Sequence, residues 1–172
     1  MTEIAERQAQ GAGSLAVLMK SRIARLGTRH YDWNTLGFQS AVDAKYRRAQ
    51  IRYVGTGAAG VMEDSNTVPA EHFTFSNMLL PAGSCGPLHV HEDAEEVFFI
   101  VRGHGIVMGF ERGGERWEET LNERDLVSVP AGVYRSFRNE GEDEALVAVI
   151  IGASKPKLPS YHPDDPIHGT SR

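Results

Sequence analysis

Eight short strand-like runs, set apart by Gly, Pro and acidic turns, constrain the fold more than any other feature of this chain. They cover residues 49–54, 73–80, 96–101, 105–110, 117–121, 126–129, 134–138 and 145–151. Spacing of this kind predicts an all-β sandwich or barrel. Arg112-Gly113-Gly114-Glu115 reads as a hairpin turn, because its two glycines supply positive φ without a steric cost. At 172 residues and 41% apolar content, the chain is long enough for one well-buried domain with additional arms. No internal repeat or linker divides it, so a single domain is expected.

The chemistry gathers in residues 83–96, Gly83-Ser84-Cys85-Gly86-Pro87-Leu88-His89-Val90-His91-Glu92-Asp93-Ala94-Glu95-Glu96, closed by Gly103. His89 and His91 are two apart, and in an extended strand such residues share a face. A turn through Glu92 to Glu95 returns the chain. Glu96 then opens the apolar run Val97-Phe98-Phe99-Ile100-Val101, from which its carboxylate can face the two histidines. Two neutral imidazoles and one carboxylate, with other positions free, suit non-haem Fe(II), and Mn or Zn accept the same set. With seven histidines, an accidental His-x-His is expected in roughly a quarter of shuffled sequences, so the pair alone decides little. Requiring Glu96 and the flanking Gly83 and Gly103 at their spacings lowers that to roughly one in a few thousand.

These residues resemble the first sequence motif of the cupins, Gly-x5-His-x-His-x4-Glu-x6-Gly, matched by Gly83, His89, His91, Glu96 and Gly103. The second cupin motif, Gly-x5-Pro-x-Gly-x2-His-x3-Asn, is recognisable at residues 124–139, with Pro130, Gly132 and Asn139 in place. Arg124 stands where the leading Gly belongs, and Arg135 replaces the motif histidine, usually a further ligand in that family. An arginine is always protonated and has no lone pair to give. The resemblance implies a double-stranded β-helix, a jelly-roll barrel whose motif residues look into the cavity. It also implies one divalent ion, Fe(II) foremost, with Mn, Zn or Ni as substitutes, held by His89, His91 and Glu96.

Three arrangements of Arg135 are open. It can clamp an anionic group of a substrate beside the metal, or pair with Glu96 and leave a metal-free binding pocket. It can also pack against outside acids while His104 or His72 completes the metal shell. Arg135 and its neighbour Tyr134 are the expected catalytic residues. Glu92, Asp93 and Glu95 read as a solvated turn, Cys85 as a small buried hydrophobe, and His30, His162 and His168 as residues of the arms.

Residues 1–40 are expected to form an arm, with a helix capped by Ser14, running to about Leu26 and stopped by Gly27. Leu15, Leu18, Met19, Ile23 and Leu26 would share one face, packed on the barrel or on a partner subunit. The barrel is assigned to 41–153. The tail, 154–172, holds four prolines and is expected to run extended over a surface. A net charge of −5 without a basic block argues against nucleic acid. No signal or membrane span is recognisable, and the single cysteine cannot form an internal disulfide. A cytoplasmic homodimer with a small-molecule ligand is expected. Phe73, Phe75, Phe98, Phe110, Phe137 and Tyr134 supply a cavity suited to an anionic, ring-containing ligand. The leading functional expectation is a dioxygenase acting on an aromatic or oxygenated acid. The alternatives are a metal-dependent isomerase or decarboxylase, and a non-catalytic small-molecule binder or sensor.

Overall fold

Ten strands form two five-stranded antiparallel sheets in the computed structural model, which describes residues 15–170. They are β1 (Ala49–Val54), β2 (Thr74–Leu80), β3 (Cys85–Val90), β4 (Glu96–Arg102), β5 (Ile106–Arg112), β6 (Glu115–Leu121), β7 (Leu126–Val129), β8 (Tyr134–Asn139), β9 (Ala145–Ile151) and β10 (Ser160–Tyr161). One sheet runs β1-β2-β9-β4-β7 and the other β10-β3-β8-β5-β6. From β3 to β5, and again from β6 to β9, successive strands alternate between sheets, which makes the all-β jelly-roll barrel. The β5–β6 pair closes on Gly113 and Gly114 at φ 62° and 83°, as a type I′ hairpin needs.

Alternation decides what enters the barrel. In β8, Arg135, Phe137 and Asn139 are buried while Tyr134, Ser136 and Arg138 are half-exposed; in β4, Glu96, Phe98 and Ile100 are the buried set. Phe98, Phe137, Met78, Leu80, Ile106 and Val147 join residues of both sheets in one apolar core. Burial of these side chains supplies the main stabilisation, about 1.5 to 3 kcal/mol for each large one. Asn139 is fully used in staples: its amide donates to the Leu80 and Asp143 carbonyls, both at 2.9 Å, and accepts from Gly141 N–H at 3.0 Å.

The arms depart from expectation. Helix α1 spans only Leu15–Lys20, and Ser14 lies outside the described residues. The Ser21 hydroxyl bonds back to the Leu18 carbonyl at 2.7 Å, and the chain next turns helical only at a 3-10 turn, Leu26–Thr28. Leu15, Leu18, Met19, Ile23 and Leu26 are exposed, so their helical spacing does not mark a face packed on this barrel. A helix α2 (Gly37–Val42) and a 3-10 turn (Ala44–Tyr46), neither signalled by the sequence, cover the barrel with buried Leu36, Gln39 and Tyr46. The tail does more than run over a surface. Ser160 and Tyr161 pair with Val90 and His89 as an edge strand, and Ile167 is fully buried. No helix of the described residues is long and apolar enough to cross a membrane.

Candidate metal centre

A bulge places the first histidine. Pairing of β3 with β8 shifts between Gly86 and His89, where Pro87 has no N–H to offer the ladder. The freed Pro87 carbonyl meets His89 Nδ1 at 2.8 Å. A carbonyl only accepts, so Nδ1 carries the proton and the Nε2 lone pair faces the barrel interior. The tail pins this bulge: Leu88 N–H donates to Asp165 Oδ2 at 2.7 Å, and His162 N–H donates to the Leu88 carbonyl at 2.9 Å. Gly132 N–H holds the His91 carbonyl at 2.9 Å, just past the end of β3. Glu96 is fixed from both sides by pairing with Val129 of β7 and Ile151 of β9.

The three side chains meet as a buried cluster. Glu96 Oε2 lies 3.6 Å from His89 Nε2 and 3.7 Å from His91 Nε2, and the three ligand atoms fall within 4.8 Å of one another. Ligands 2.0–2.2 Å from a common ion stand roughly 3 to 3.5 Å apart, so a small inward shift would close the site on one cation. Burial lowers the His91 pKa to about 4, which keeps its ring neutral, as a ligand must be. Burial alone would push the Glu96 carboxyl up, but His89 and the Arg135 guanidinium are among the neighbours that outweigh it and bring its pKa down. Neither Glu96 Oε2 nor His91 Nδ1 has a hydrogen-bond partner. An unpartnered ionised oxygen faced by the Nε2 atoms of two imidazoles calls for a cation between them, and this donor set fits a divalent metal. Glu95 points outward and accepts from Ser128, so the neighbouring carboxylates take opposite faces.

Arg135 is buried within the barrel at 0% exposure. Its Nε stands 3.6 Å from Glu96 Oε2, its Nη2 reaches the Val129 and Pro130 carbonyls at 3.4 Å each, and Nε and Nη1 make no hydrogen bond. This rules out the arrangement in which Arg135 turns to outside acids. His104 lines a separate hollow with Arg102, Glu123 and Glu142, and exposed His72 precedes β2; neither joins the cluster. Tyr134 is also away from it. Its position in β8 turns it to the opposite face, where its ring meets His162 edge-on at 4.8 Å.

The histidines and Glu96 open on a cavity in which the room for centres of water-sized spheres is ≈ 70 Å³. Phe75, Phe98 and Phe137 line it. Phe73 is exposed instead, Phe110 stacks on Trp117, and Arg135 stands behind Glu96 rather than on the wall. The wall holds residues that sequence reasoning missed: Arg48, Gln39 and Tyr161. Nothing in Arg47-Arg48 ahead of a strand says which of the two turns inward.

Fold and site together define a jelly-roll protein with a candidate mononuclear metal centre at its core. The Cupin domain family matches residues 76–151, and this match, with the relatives that follow, supports membership of the cupin superfamily. It is 35% identical over 80 residues to germin-like protein subfamily 3 member 3 of Arabidopsis thaliana, a match covering 46% of this chain and 37% of that protein. It is 39% identical over 77 residues to the acireductone dioxygenase of Bacillus subtilis, covering 44% and 42%. The chain thus spans about two fifths of these relatives. Among solved structures it resembles Peruvianin-I, a cysteine peptidase from Thevetia peruviana latex, with a TM-score of 0.58 at 17% identity, covering 86% of this chain and 78% of that one. Recombinant oxalate oxidase in complex with glycolate aligns at 0.51 and 17% identity, covering 67% and 55%. At these identities the structural likeness speaks for the fold.

Proposed function

We propose that the protein is a metal-dependent cupin enzyme of dioxygenase type. In this reading His89, His91 and Glu96 hold one divalent ion, Fe(II) foremost, and the substrate is a small aromatic or oxygenated acid. The observation that carries the proposal is the convergence of two imidazole nitrogens on one unpartnered carboxylate oxygen, all buried and all open to a cavity. Likeness to acireductone dioxygenase across the motif region supports the reaction type.

When bound, such an ion supplies Lewis acidity toward substrate oxygens and a position for O2. The chain's own residues do the rest. Pro87 fixes the His89 tautomer, so that Nε2 is the donor. Arg135 holds the Glu96 oxygen from behind and helps keep it ionised. Phe75, Phe98 and Phe137 keep the wall apolar and limit access of water. A cavity with room for roughly five to seven waters accommodates a small acid.

Residues 41–153 serve as the working barrel, with 1–40 and 154–172 as arms around it, and two copies associate as a dimer. Gel filtration that gives a monomer would remove the last point. The enzymatic reading is tested by oxygen uptake of Fe(II)-loaded protein against a panel of small keto and hydroxy acids. Consumption with at least one of them, abolished in Glu96→Gln, is expected; none across the panel contradicts it. The 3.6 Å approach of Arg135 to Glu96 supports a second reading, a metal-free pocket that binds a small ligand without changing it. That reading requires the native protein to bind no metal.

A further inference from the structure

The same cavity holds a cation with no carboxylate of the described residues at ion-pair distance. Arg48, just ahead of β1, is 6% exposed and lines the wall. Its guanidinium lies 5.4 Å from the centre of the Phe137 ring, and Nη1 donates to the Tyr46 carbonyl at 2.9 Å. Nε has no partner, and among the described residues no carboxylate comes within ion-pair distance of Arg48. Arg52, on the same wall, differs: Asp32 and Asp64 neutralise it at 3.1 and 2.9 Å. Glu96 is the one carboxylate on the wall among the described residues, and its charge already faces His89, His91 and Arg135.

Burial lowers the Arg48 pKa only to about 10, so the group stays charged at neutral pH. Glu96 acts on Arg48 only from beyond ion-pair distance, and a buried cation without a contacting counter-charge costs stability unless a ligand supplies one. Gln39, also on the wall and buried, donates from Nε2 to the Tyr161 hydroxyl at 2.9 Å and leaves its Oε1 acceptor without a partner, free for a ligand hydroxyl. A forked guanidinium whose Nε is unpartnered, on an aromatic floor, matches a carboxylate in both charge and shape. A single guanidinium matches the single charge of a carboxylate better than the higher charge of a phosphate.

We infer that Arg48 anchors the carboxylate of a small oxyacid, so that the ligand's second oxygen function turns toward His89, His91 and Glu96. The second half rests on the metal centre proposed above; the first half does not. Arg48 therefore takes the anion-clamping role that sequence reasoning gave to Arg135.

The test is calorimetric titration of pyruvate and pyruvamide, which share a shape and differ in charge. It uses the full chain, metal-free and exposed to Mn(II), as wild type, Arg48→Gln and Arg48→Lys, with circular dichroism to verify folding. Pyruvate should bind better than pyruvamide to both wild-type preparations. Arg48→Gln should weaken pyruvate by about 10- to 100-fold and leave pyruvamide within about threefold. Arg48→Lys, which keeps the charge and loses the fork, should fall between, and it carries the test alone if Arg48→Gln does not fold. Equal losses for both probes, no preference for the anion, no binding of either probe at millimolar concentration, or tighter binding of inorganic phosphate than of pyruvate overturns the assignment. An Arg48-dependent preference in protein that takes up no Mn(II) would sink the metal centre and leave the anchor standing. Mn(II) uptake without that preference would do the reverse.

Discussion

Arg135 Nε stands 3.6 Å from Glu96 Oε2, the same oxygen that faces the Nε2 atoms of His89 and His91. The guanidinium thus occupies the side of the carboxylate where the second cupin motif would place another imidazole. It neutralises Glu96 in part without offering a lone pair, so it competes electrostatically with any cation the cluster holds. Arg135→His removes that positive charge and adds a donor. Metal affinity measured by chelator competition should rise at least about tenfold, while oxygen uptake falls because Glu96 loses its backing. Unchanged affinity would mean that Arg135 does not act on the metal.

Arg124 is the only non-glycine among the described residues with positive φ, at 72°. It sits where the second motif carries glycine, in a turn held by Asp125 N–H to the Asn122 carbonyl at 2.9 Å. Left-handed backbone costs a residue with a Cβ about 1 to 2 kcal/mol, part of which glycine's extra unfolded-state freedom gives back. Arg124→Gly should therefore raise the unfolding free energy in urea by roughly 0.5 to 1 kcal/mol. A loss of stability would mean that the Arg124 side chain makes contacts worth more than the strain.

Gly86 leaves no room for a side chain: an added Cβ would lie 2.3 Å from the tip of the Phe137 ring. Gly86→Ala must displace either the core ring or the bulge that positions His89, costing about 1 to 3 kcal/mol. Denaturant unfolding checks the cost. Metal binding should weaken along with it, and a destabilised variant with unchanged metal affinity would show that the ring yields and the bulge does not.

Asp32 ties the N-terminal arm to β1. It accepts from Asn34 and Thr35 N–H groups at 2.9 and 3.0 Å, and pairs with Arg52 at 3.1 Å. Burial pushes its carboxyl up, but these donors and the Thr35 hydroxyl prevail and bring the pKa down to about 2 from 3.8. The folded value is below the unfolded one, so the stabilisation is present above pH 4 and is lost as pH falls through about 2. Allowing for solvent screening, it amounts to about 1 kcal/mol. Asp32→Asn should lower stability at pH 6 by that order and flatten the acid limb of the stability profile; an unaltered limb would contradict the assignment.

The barrel was legible because alternation and turn chemistry act locally. The runs at 49–54, 126–129 and 145–151 coincide with β1, β7 and β9, and the other five agree to within two residues at each end. His89, His91 and Glu96 were legible for a similar reason, since a strand, a turn and a strand fix their meeting. Arg48 and Gln39 were not, because only the docking of α2 and the 3-10 turn against the barrel mouth turns them inward. The spacing of Leu15, Leu18, Met19, Ile23 and Leu26 misled, since helical periodicity marks an apolar stripe but not what covers it. Tyr134 lies away from the cluster because one step along β8 reverses the face.

The central claim is a metal held by His89, His91 and Glu96, and elemental analysis of protein purified without a chelating tag tests it most directly. Near one divalent ion per chain in the native protein, lost in both His89→Ala and Glu96→Ala while each variant stays folded, is the predicted result. No metal in the native protein and none taken up on reconstitution would contradict it, leaving Arg135 as the permanent counter-charge of Glu96.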